Sequence, residues 1–256
     1  MAKMIEMFSN KFTRLRKFFI EIILYLKYPD KIKLGLRTFI TRPKANKLGI
    51  VSHEPNYIFM DWFDSSSTIV DVGCGYEADF SMSMIARYHL KALAVDPTHK
   101  HVPYLQDIKR NADGHFKHLA LAIAPQNGKI VFNESVINES GSMLADHVNI
   151  QQGEIRSYEV ESVNLKGLIK KIEVNKIDLI KLDIEGAEYD LLRNVSEEDL
   201  KPFRQIFIEF HHRTVPQYSR RDTKEIVKHI CSRGFDVFTA DGRNYLFYNK
   251  DMKSKA

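Results

Sequence analysis

From Thr68 onward, short β-branched apolar runs alternate with stretches whose apolar residues recur every three or four positions. The first pattern suits a strand buried on both faces, and the second suits a helix with one buried face. Strands are predicted over Thr68–Val72, Ala92–Val95, His118–Ile123, Lys129–Asn133, Ser157–Val163, Ile177–Leu182, Gln205–Phe210, Asp236–Thr239 and Tyr245–Tyr248. Helices are predicted over Phe80–Tyr88, Pro103–Asn111, Leu165–Lys171, Ala187–Val195 and Thr223–Arg233. This alternation predicts an α/β fold, with a mostly parallel Rossmann-like sheet covered by helices on both faces. Only a few residues around Asp241-Gly242 separate the last two strands, so the sheet should end in an antiparallel hairpin. Residues 134–154 break the alternation with Ser, Asn, Gly and Gln, and read as a long functional or mobile loop.

Before Thr68 the pattern differs. Residues 1–64 read as a basic, amphipathic helical extension, 65–250 as the main domain and 251–256 as a tail. Within residues 10–27, Phe12, Leu15, Phe19, Ile22, Ile23 and Leu26 share one helical face. Its densest apolar run, Phe18 to Leu26, contains Glu21 and is far short of the about 20 residues a membrane span needs. Glu21 and the missing small-x-small site also argue against a signal peptide. Two readings stay open. The stripe packs on the main domain or a second subunit, or it lies on an anionic membrane surface with Arg14, Arg16 and Lys17 at the head groups.

Charge sharpens this division. Residues 1–50 hold 12 Lys/Arg against 3 Asp/Glu, whereas the remaining 206 hold 26 against 30. The basic excess is thus N-terminal, which argues against a nucleic-acid-binding face over the main domain. Cys74 and Cys231 stand far apart without a CxxC pair, against a disulfide-stapled fold or a structural zinc site. Free cysteines and the absent signal peptide predict a cytoplasmic protein, with the inner face of the membrane as a peripheral location if the N-terminal helix binds lipid.

Candidate chemistry begins at TIVDVGCG, residues 68–75, where an apolar strand runs into Gly73-Cys74-Gly75 and then a helix. Glycines let the backbone turn sharply and lie close to a ligand beyond the strand ends. Asp96 ends the next strand, 21 residues after Gly75, where a carboxylate can accept hydrogen bonds from ribose hydroxyls. Gly73-x-Gly75-x-x-Ala78 formally fits a dinucleotide fingerprint. Asp71 points the other way, because an acid at the mouth of the turn would repel a pyrophosphate and would suit the cationic S-adenosylmethionine. Asp71, Gly73, Gly75 and Asp96 are therefore the expected cofactor residues.

Further acids follow. Asp183 and Glu185 leave the Ile177–Leu182 strand at its carboxyl end, and Glu188 opens the next helix. Glu209 and His211 leave the following strand at the same end. Asp183 and His211 are expected to face the acceptor, one of them taking its proton, with Glu209 beside them. Glu185 and Glu188 are expected to shape the acceptor site, or else to cap the helix and pair with Lys181 or Arg193. Asp183, Glu209 and His211 could also ligate a divalent ion, but no tight spacing such as HExxH supports one, and no metal is assigned. His99, Lys100, His101, Lys109 and Arg110 read as a solvated face or as contacts for an anionic acceptor.

With these residues in place, the chain resembles the FkbM family of S-adenosylmethionine-dependent methyltransferases. The resemblance runs over about residues 65–248. It includes Val70-Asp71-Val72-Gly73, Val95-Asp96-Pro97, Leu119-Ala120-Leu121-Ala122, Asn127-Gly128, Gly141-Ser142-Met143-Leu144 and Val163-Asn164-Leu165. Its most specific part is IDLIKLDIEGAE, from Ile177 to Glu188, followed by Ile208-Glu209-Phe210-His211. The chain departs from the family in Glu77, where a glycine is usual, in Gly75, where Asn is common, and in Asp96 in place of Glu. The resemblance implies a seven-stranded methyltransferase sheet and adds Ala122 to the cofactor residues. It also implies O-methylation of a hydroxyl on a sugar, glycan, glycolipid or natural product.

Three other functions compete, one of them a catalytically silent binding module, which is disfavoured because the chain keeps both the glycine turn and the carboxylates near the acceptor. A nicotinamide-dependent oxidoreductase is disfavoured by Asp71. A nucleic-acid methyltransferase is disfavoured because Asp183-Ile184-Glu185-Gly186 stands where amine-methylating relatives of this fold carry Asn/Asp-Pro-Pro-Tyr, and because no series of base-stacking aromatics is evident. No nucleic-acid partner is therefore expected.

Overall fold

The computed structural model describes residues 41–53 and 57–251. The amphipathic segment 10–27 and residues 252–256 of the tail lie outside the described residues. The chain divides into two compact units, 1–47 and 48–256. In the first, residues 41–47 are helical.

The second unit is built on a seven-stranded sheet. Five strands are parallel: β3 (Thr68–Val72), β4 (Lys91–Val95), β5 (Phe116–Leu119), β10 (Leu179–Leu182) and β11 (Gln205–Glu209). The hairpin β12 (Phe235–Phe238) and β13 (Asn244–Asn249) completes it, with β13 antiparallel to both β12 and β11. The strand order is β12-β13-β11-β10-β3-β4-β5, as the α/β reading with a terminal hairpin expects. The order reverses between β3 and β10, and ligands in such sheets bind beyond the strand ends at that reversal.

Alternation along these strands sorts side chains onto two faces. Asp71 and Lys181 lie on one face, paired in register across β3 and β10. That face meets α1 (Asp79–Tyr88) and an antiparallel hairpin of β1 (Ile50–His53) and β2 (Tyr57–Met60). Toward the sheet edge, α2 (Val102–Asn111) packs beside β5 with Leu105 buried. Val70, Val72, Ile180, Leu182, Ile206 and Ile208 face the main core, covered by α3 (Leu165–Ile172), α4 (Glu188–Leu192) and α6 (Arg220–Cys231). The β1–β2 hairpin replaces part of the helix expected before residue 64. Phe59 and Met60 are buried, at about 1.5–3 kcal/mol of hydrophobic stabilisation each. The Gln205 side-chain amide accepts from Met60 N–H at 2.7 Å and donates to its carbonyl at 3.2 Å.

Between β5 and β10 the chain forms a second sheet of order β6-β9-β7-β8. It comprises β6 (Ala122–Ile123), β7 (Gly128–Ser135), β8 (Gly141–Ser142) and β9 (Ile155–Val163). The strand expected over His118–Ile123 is thus two strands in different sheets. The loop expected over 134–154 is shortened by β7, β8 and a 3₁₀ turn at Ile150–Gln152. The helix expected over Ala187–Val195 ends at Leu192. Ser196 and Asp199 then form a capping box that starts α5 (Glu197–Leu200). A similar box, Ser219 with Asp222, starts α6 three residues before the expected Thr223. Among the described residues, no helix is long and apolar enough to cross a membrane.

Candidate active site

The turn after β3 is set by steric demand. Gly73 and Gly75 have φ of +73° and +68°, where a side chain is strained. A Cβ on Gly73 would also stand 1.8 Å from the Asp183 carbonyl oxygen. The turn therefore lies against the start of the β10–α4 connection. Gly73 N–H donates to the Val95 carbonyl at 2.9 Å, and Lys181 Nζ donates to the Gly73 carbonyl at 2.8 Å.

This turn forms one wall of a cavity of about 430 Å³, within the size range of small-molecule sites. Gly73, Gly75, Asp96, Ala122, Asp183 and Glu185 line it, which brings six of the sequence-predicted site residues together. Tyr57 of the hairpin, Phe132 and Gly141 of the second sheet, and Met143 just after it also line the cavity. Cys74 and Cys231 are free thiols, and burial pushes the Cys74 thiol up.

Asp96 is almost fully buried. Its carboxylate accepts from Gly75 N–H at 3.1 Å and Thr98 N–H at 2.9 Å, and meets His101 Nδ1 at 3.2 Å. Burial pushes this carboxyl up, but the hydrogen bonds from His101 and Thr98 outweigh it and hold it below the usual range. An ionised acceptor thus stands in the cavity wall. Lys100, expected on a solvated face, instead donates to the Ser135 and Asn138 carbonyls, and His99 stacks on Tyr158.

Two expected contacts are corrected. Asp71 does not line the cavity: it is fully buried beneath the turn, 3.0 Å from Lys181 Nζ and accepting from the Ser81 hydroxyl at 2.8 Å. Its charge is spent on Lys181, so it cannot select between cofactors as its place in the sequence suggests. Glu188 is also fully buried and shapes no acceptor surface. It accepts from the backbone N–H of Gly186 at 2.9 Å and of His211 at 2.8 Å, and holds His211 Nδ1 at 3.1 Å.

Behind Asp183 lies a dense ionic cluster. His211 is 3% exposed, and its Nε2 stands 3.5 Å from Asp183 Oδ1, 3.5 Å from Glu185 Oε2 and 3.9 Å from Glu209 Oε1. Burial alone would lower the imidazole. Glu188, then Glu185 and Asp183, outweigh it and push His211 up to about 10. A buried, already protonated imidazole cannot take an acceptor's proton near neutral pH, so His211 supports the carboxylates instead. Burial raises Asp183 against the opposing charges of Lys181 and His211. Burial and Asp183 together push Glu209 up to about 7, against Arg243, which pairs with it.

Two contributors, Tyr57 and His147, escape the sequence reading, and a third, Lys181, pairs with Asp71 and Asp183 rather than with Glu185 or Glu188. Lys181 is fully buried; burial would lower its ammonium, but Asp71 and Asp183 outweigh this and raise it. A lysine inside the apolar run IDLIKL is the available signal, since a buried cation requires a partner. Tyr57 lies with its ring 4.9 Å from Lys181 Nζ. Burial pushes its phenol up to about 12, partly offset by Lys181. His147, from the irregular segment before β9, is fully buried, with Nε2 2.7 Å from Glu185 Oε2. No local pattern marks it.

Residues 71–237 match the methyltransferase FkbM domain. The chain belongs to the FkbM methyltransferase family. No curated protein of similar sequence was found. Among solved structures, the chain is similar to the Methanococcus jannaschii fibrillarin pre-rRNA processing protein, with 13% identity over 80% of this chain and 71% of that one, and a TM-score of 0.44. It is also similar to M. capricolum TrmK in complex with S-adenosyl-homocysteine, with 12% identity, 74% and 65% coverage and a TM-score of 0.39. A human methyltransferase 10 domain containing protein gives 10% identity, 83% and 80% coverage and a TM-score of 0.39. At these values the likenesses carry no argument about substrate.

As an FkbM methyltransferase, the chain uses S-adenosylmethionine, and the cavity fits that cofactor. The bare backbone of Gly73 and Gly75 permits close approach, and the ionised Asp96 can accept from a ribose. The wall carries Glu77, Asp79, Asp96, Glu139, Asp183 and Glu185 against Lys181. Such a wall suits a cationic cofactor and repels a pyrophosphate, by about 1–4 kcal/mol per close like-charge pair. This acidity, and not Asp71, faces the cavity. Asp96→Asn is expected to weaken S-adenosylmethionine binding by about 10- to 100-fold, the worth of a charge-assisted hydrogen bond. Calorimetry on the two proteins checks this.

Proposed function

We propose that this FkbM methyltransferase methylates a hydroxyl of a sugar, glycan, glycolipid or natural product. The observation that carries the reading is the acidic cavity wall with Asp183 at its end. Carboxylates accept hydrogen bonds from neutral polyols, whereas a nucleic acid brings a phosphate for every nucleotide and needs a basic surface.

S-adenosylmethionine supplies an electrophilic methyl group when bound. Gly73, Gly75, Asp96 and Ala122 would hold it. The chain's own task is to orient the hydroxyl and receive its proton. Asp183 reaches the cavity and Glu209 lies behind it; burial raises both carboxyls, and Glu209 is pushed up to about 7, where a carboxyl can exchange a proton near neutral pH. Glu188 and His147 fix His211 and Glu185 around that pair. Asp183→Asn is expected to lower kcat by about 10²- to 10⁴-fold, the usual worth of general base catalysis.

The test is transfer of radiolabelled methyl from S-adenosylmethionine to a panel of glycans, glycolipids and hydroxylated small molecules, with total RNA in parallel. Label recovered as an O-methyl ether, and lost in Asp183→Asn, is the expected result. Label in RNA alone would replace this reading with the nucleic-acid one. The expected cytoplasmic location, and contact of residues 10–27 with a membrane, are compatible with a glycolipid acceptor; vesicle flotation of the chain with and without residues 1–40 measures that contact.

A further inference from the structure

We propose that His101 is a cofactor-binding residue, with its Nε2 hydrogen-bonded to a ribose hydroxyl of S-adenosylmethionine and its Nδ1 held by Asp96. The contact concerns the cofactor and is independent of which acceptor is methylated.

One atom in the cavity wall lacks a partner. His101 lines the cavity and is 3% exposed. Its Nδ1 meets Asp96 Oδ2 at 3.2 Å, whereas its Nε2 is buried with no hydrogen-bond partner among the described residues. Buried polar atoms nearly always have a partner. The other buried side-chain atoms short of a hydrogen bond belong to Asp71, His118, His147 and Asn244, and none of these residues lines the cavity. Those of Asp71 and His147 stand beside Lys181 and Glu185 in any case. His101 alone among them presents an unmet hydrogen-bonding need where a ligand binds.

Asp96 cannot serve a whole ribose by itself. A carboxylate offers about four lone-pair sites. Asp96 Oδ1 accepts from Thr98 N–H at 2.9 Å, and Oδ2 accepts from Gly75 N–H at 3.1 Å and from His101 Nδ1 at 3.2 Å. Oδ2 is therefore filled, and Oδ1 keeps room for one hydroxyl. The neighbouring hydroxyl of the same sugar needs another partner, and His101, tied to the same carboxylate, carries an unpaired nitrogen for it.

The imidazole is held in place without a ligand. His101 N–H donates to the Thr98 carbonyl at 3.0 Å, and the His101 carbonyl accepts from Leu105 N–H at 3.0 Å at the start of α2. Thr98 and Gly75 hold Asp96 in turn, so the group that fixes Nδ1 is itself fixed. A contact built on such support loses little freedom when the cofactor arrives. A hydroxyl also suits the nitrogen chemically. It both donates and accepts, so it pairs with Nε2 whether that nitrogen carries a hydrogen or a lone pair. The adenine amine only donates, and the cofactor's carboxylate would be repelled by the ionised Asp96 beside the ring.

The experiment measures binding of S-adenosyl-homocysteine, and of its 2′-deoxy and 3′-deoxy analogues, to the full chain by calorimetry, in the parent and in His101→Asn. Asparagine keeps a donor near Asp96 and drops the far nitrogen, which separates support of the carboxylate from contact with the cofactor. His101→Asn is expected to weaken S-adenosyl-homocysteine by about 3- to 10-fold, the worth of one hydrogen bond. Removal of one of the two hydroxyls should cost the parent a similar factor and cost the variant nothing further. His101→Gln, whose amide reaches toward the place of Nε2, is expected to recover most of the affinity. A second readout needs no variant. In the parent chain with its histidines labelled for nitrogen NMR, the His101 Nε2 resonance should shift on adding S-adenosyl-homocysteine and stay near its unbound position with the analogue lacking that hydroxyl. Equal losses on removing either hydroxyl in parent and variant, or an Nε2 resonance that responds alike to all three ligands, would overturn the contact.

Discussion

Gly73→Ala is expected to abolish S-adenosylmethionine binding and to destabilise the fold by about 3–5 kcal/mol, the upper end for single substitutions. Two costs combine. Alanine at φ +73° carries about 1–2 kcal/mol of backbone strain. Its Cβ would also lie 1.8 Å from the Asp183 carbonyl oxygen, a backbone atom that cannot rotate away. Relief requires the β3 turn and the β10–α4 connection to separate, and these are the two segments that meet at the cavity. Urea unfolding should show a lower midpoint with an unchanged slope, and calorimetry should show no cofactor heat. Gly75→Ala is the informative comparison. It shares the strained φ, at +68°, but no atom lies within 4 Å of the place its Cβ would take. Equal losses in the two variants would show that strain, not the close approach, dominates.

Lys181→Met is expected to cost about 3–5 kcal/mol of stability, because it leaves a buried carboxylate without its counter-charge. The ammonium lies 3.0 Å from Asp71 Oδ1, 3.7 Å from Asp183 Oδ2 and 2.8 Å from the Gly73 carbonyl. Asp71 is fully buried, and the Ser81 hydroxyl donates to its other oxygen. Removing Lys181 therefore costs the desolvation of an unpaired charge, beyond the loss of one pair. The double change Asp71→Asn with Lys181→Met is expected to recover most of the loss. Replacing both members of a buried pair by neutral groups is often close to neutral. Chemical denaturation of the two single variants and the double variant measures the coupling directly. Additive losses would mean that each residue is held by other contacts.

Much of this arrangement is legible in the sequence because it depends on local pattern. The runs TIVDV and IDLIKL mark central strands, and the glycine turn and Asp96 follow at strand ends. Strand direction alone places Asp183, Glu185, Glu209 and His211 at one end of the sheet. Long-range relations are what the pattern hides. Period-2 patterning shows that Lys129–Asn133 is a strand, but not that it leaves the main sheet. Ile130 and Phe132 pack with Ala122 and Val160 in a separate small core, which only the folded chain displays. Asp71 reads as a ligand residue because its partner, 110 residues later, is found only through the register of β3 with β10. Glu188 misleads for a similar reason: its place at the start of a helix is visible, but its burial against His211 is not. The boxes Ser196–Asp199 and Ser219–Asp222 carry a local helix-start signal, a serine followed three residues later by an acid, but apolar periodicity alone starts one helix at Thr223 and gives none at Glu197–Leu200.

The hairpin that carries Tyr57 has a consequence for the order of events during synthesis. Its dock includes Gln205, which follows Met60 by 145 residues. At roughly 5–20 residues per second, Gln205 is made about 7–30 seconds after the hairpin leaves the ribosome's catalytic centre. Until then Phe59 and Met60 have no finished sheet to cover, and the wall that Tyr57 gives to the cavity cannot close. A complete cavity is thereby tied to a late stage of translation, although its glycine turn is among the first parts of the domain to be made.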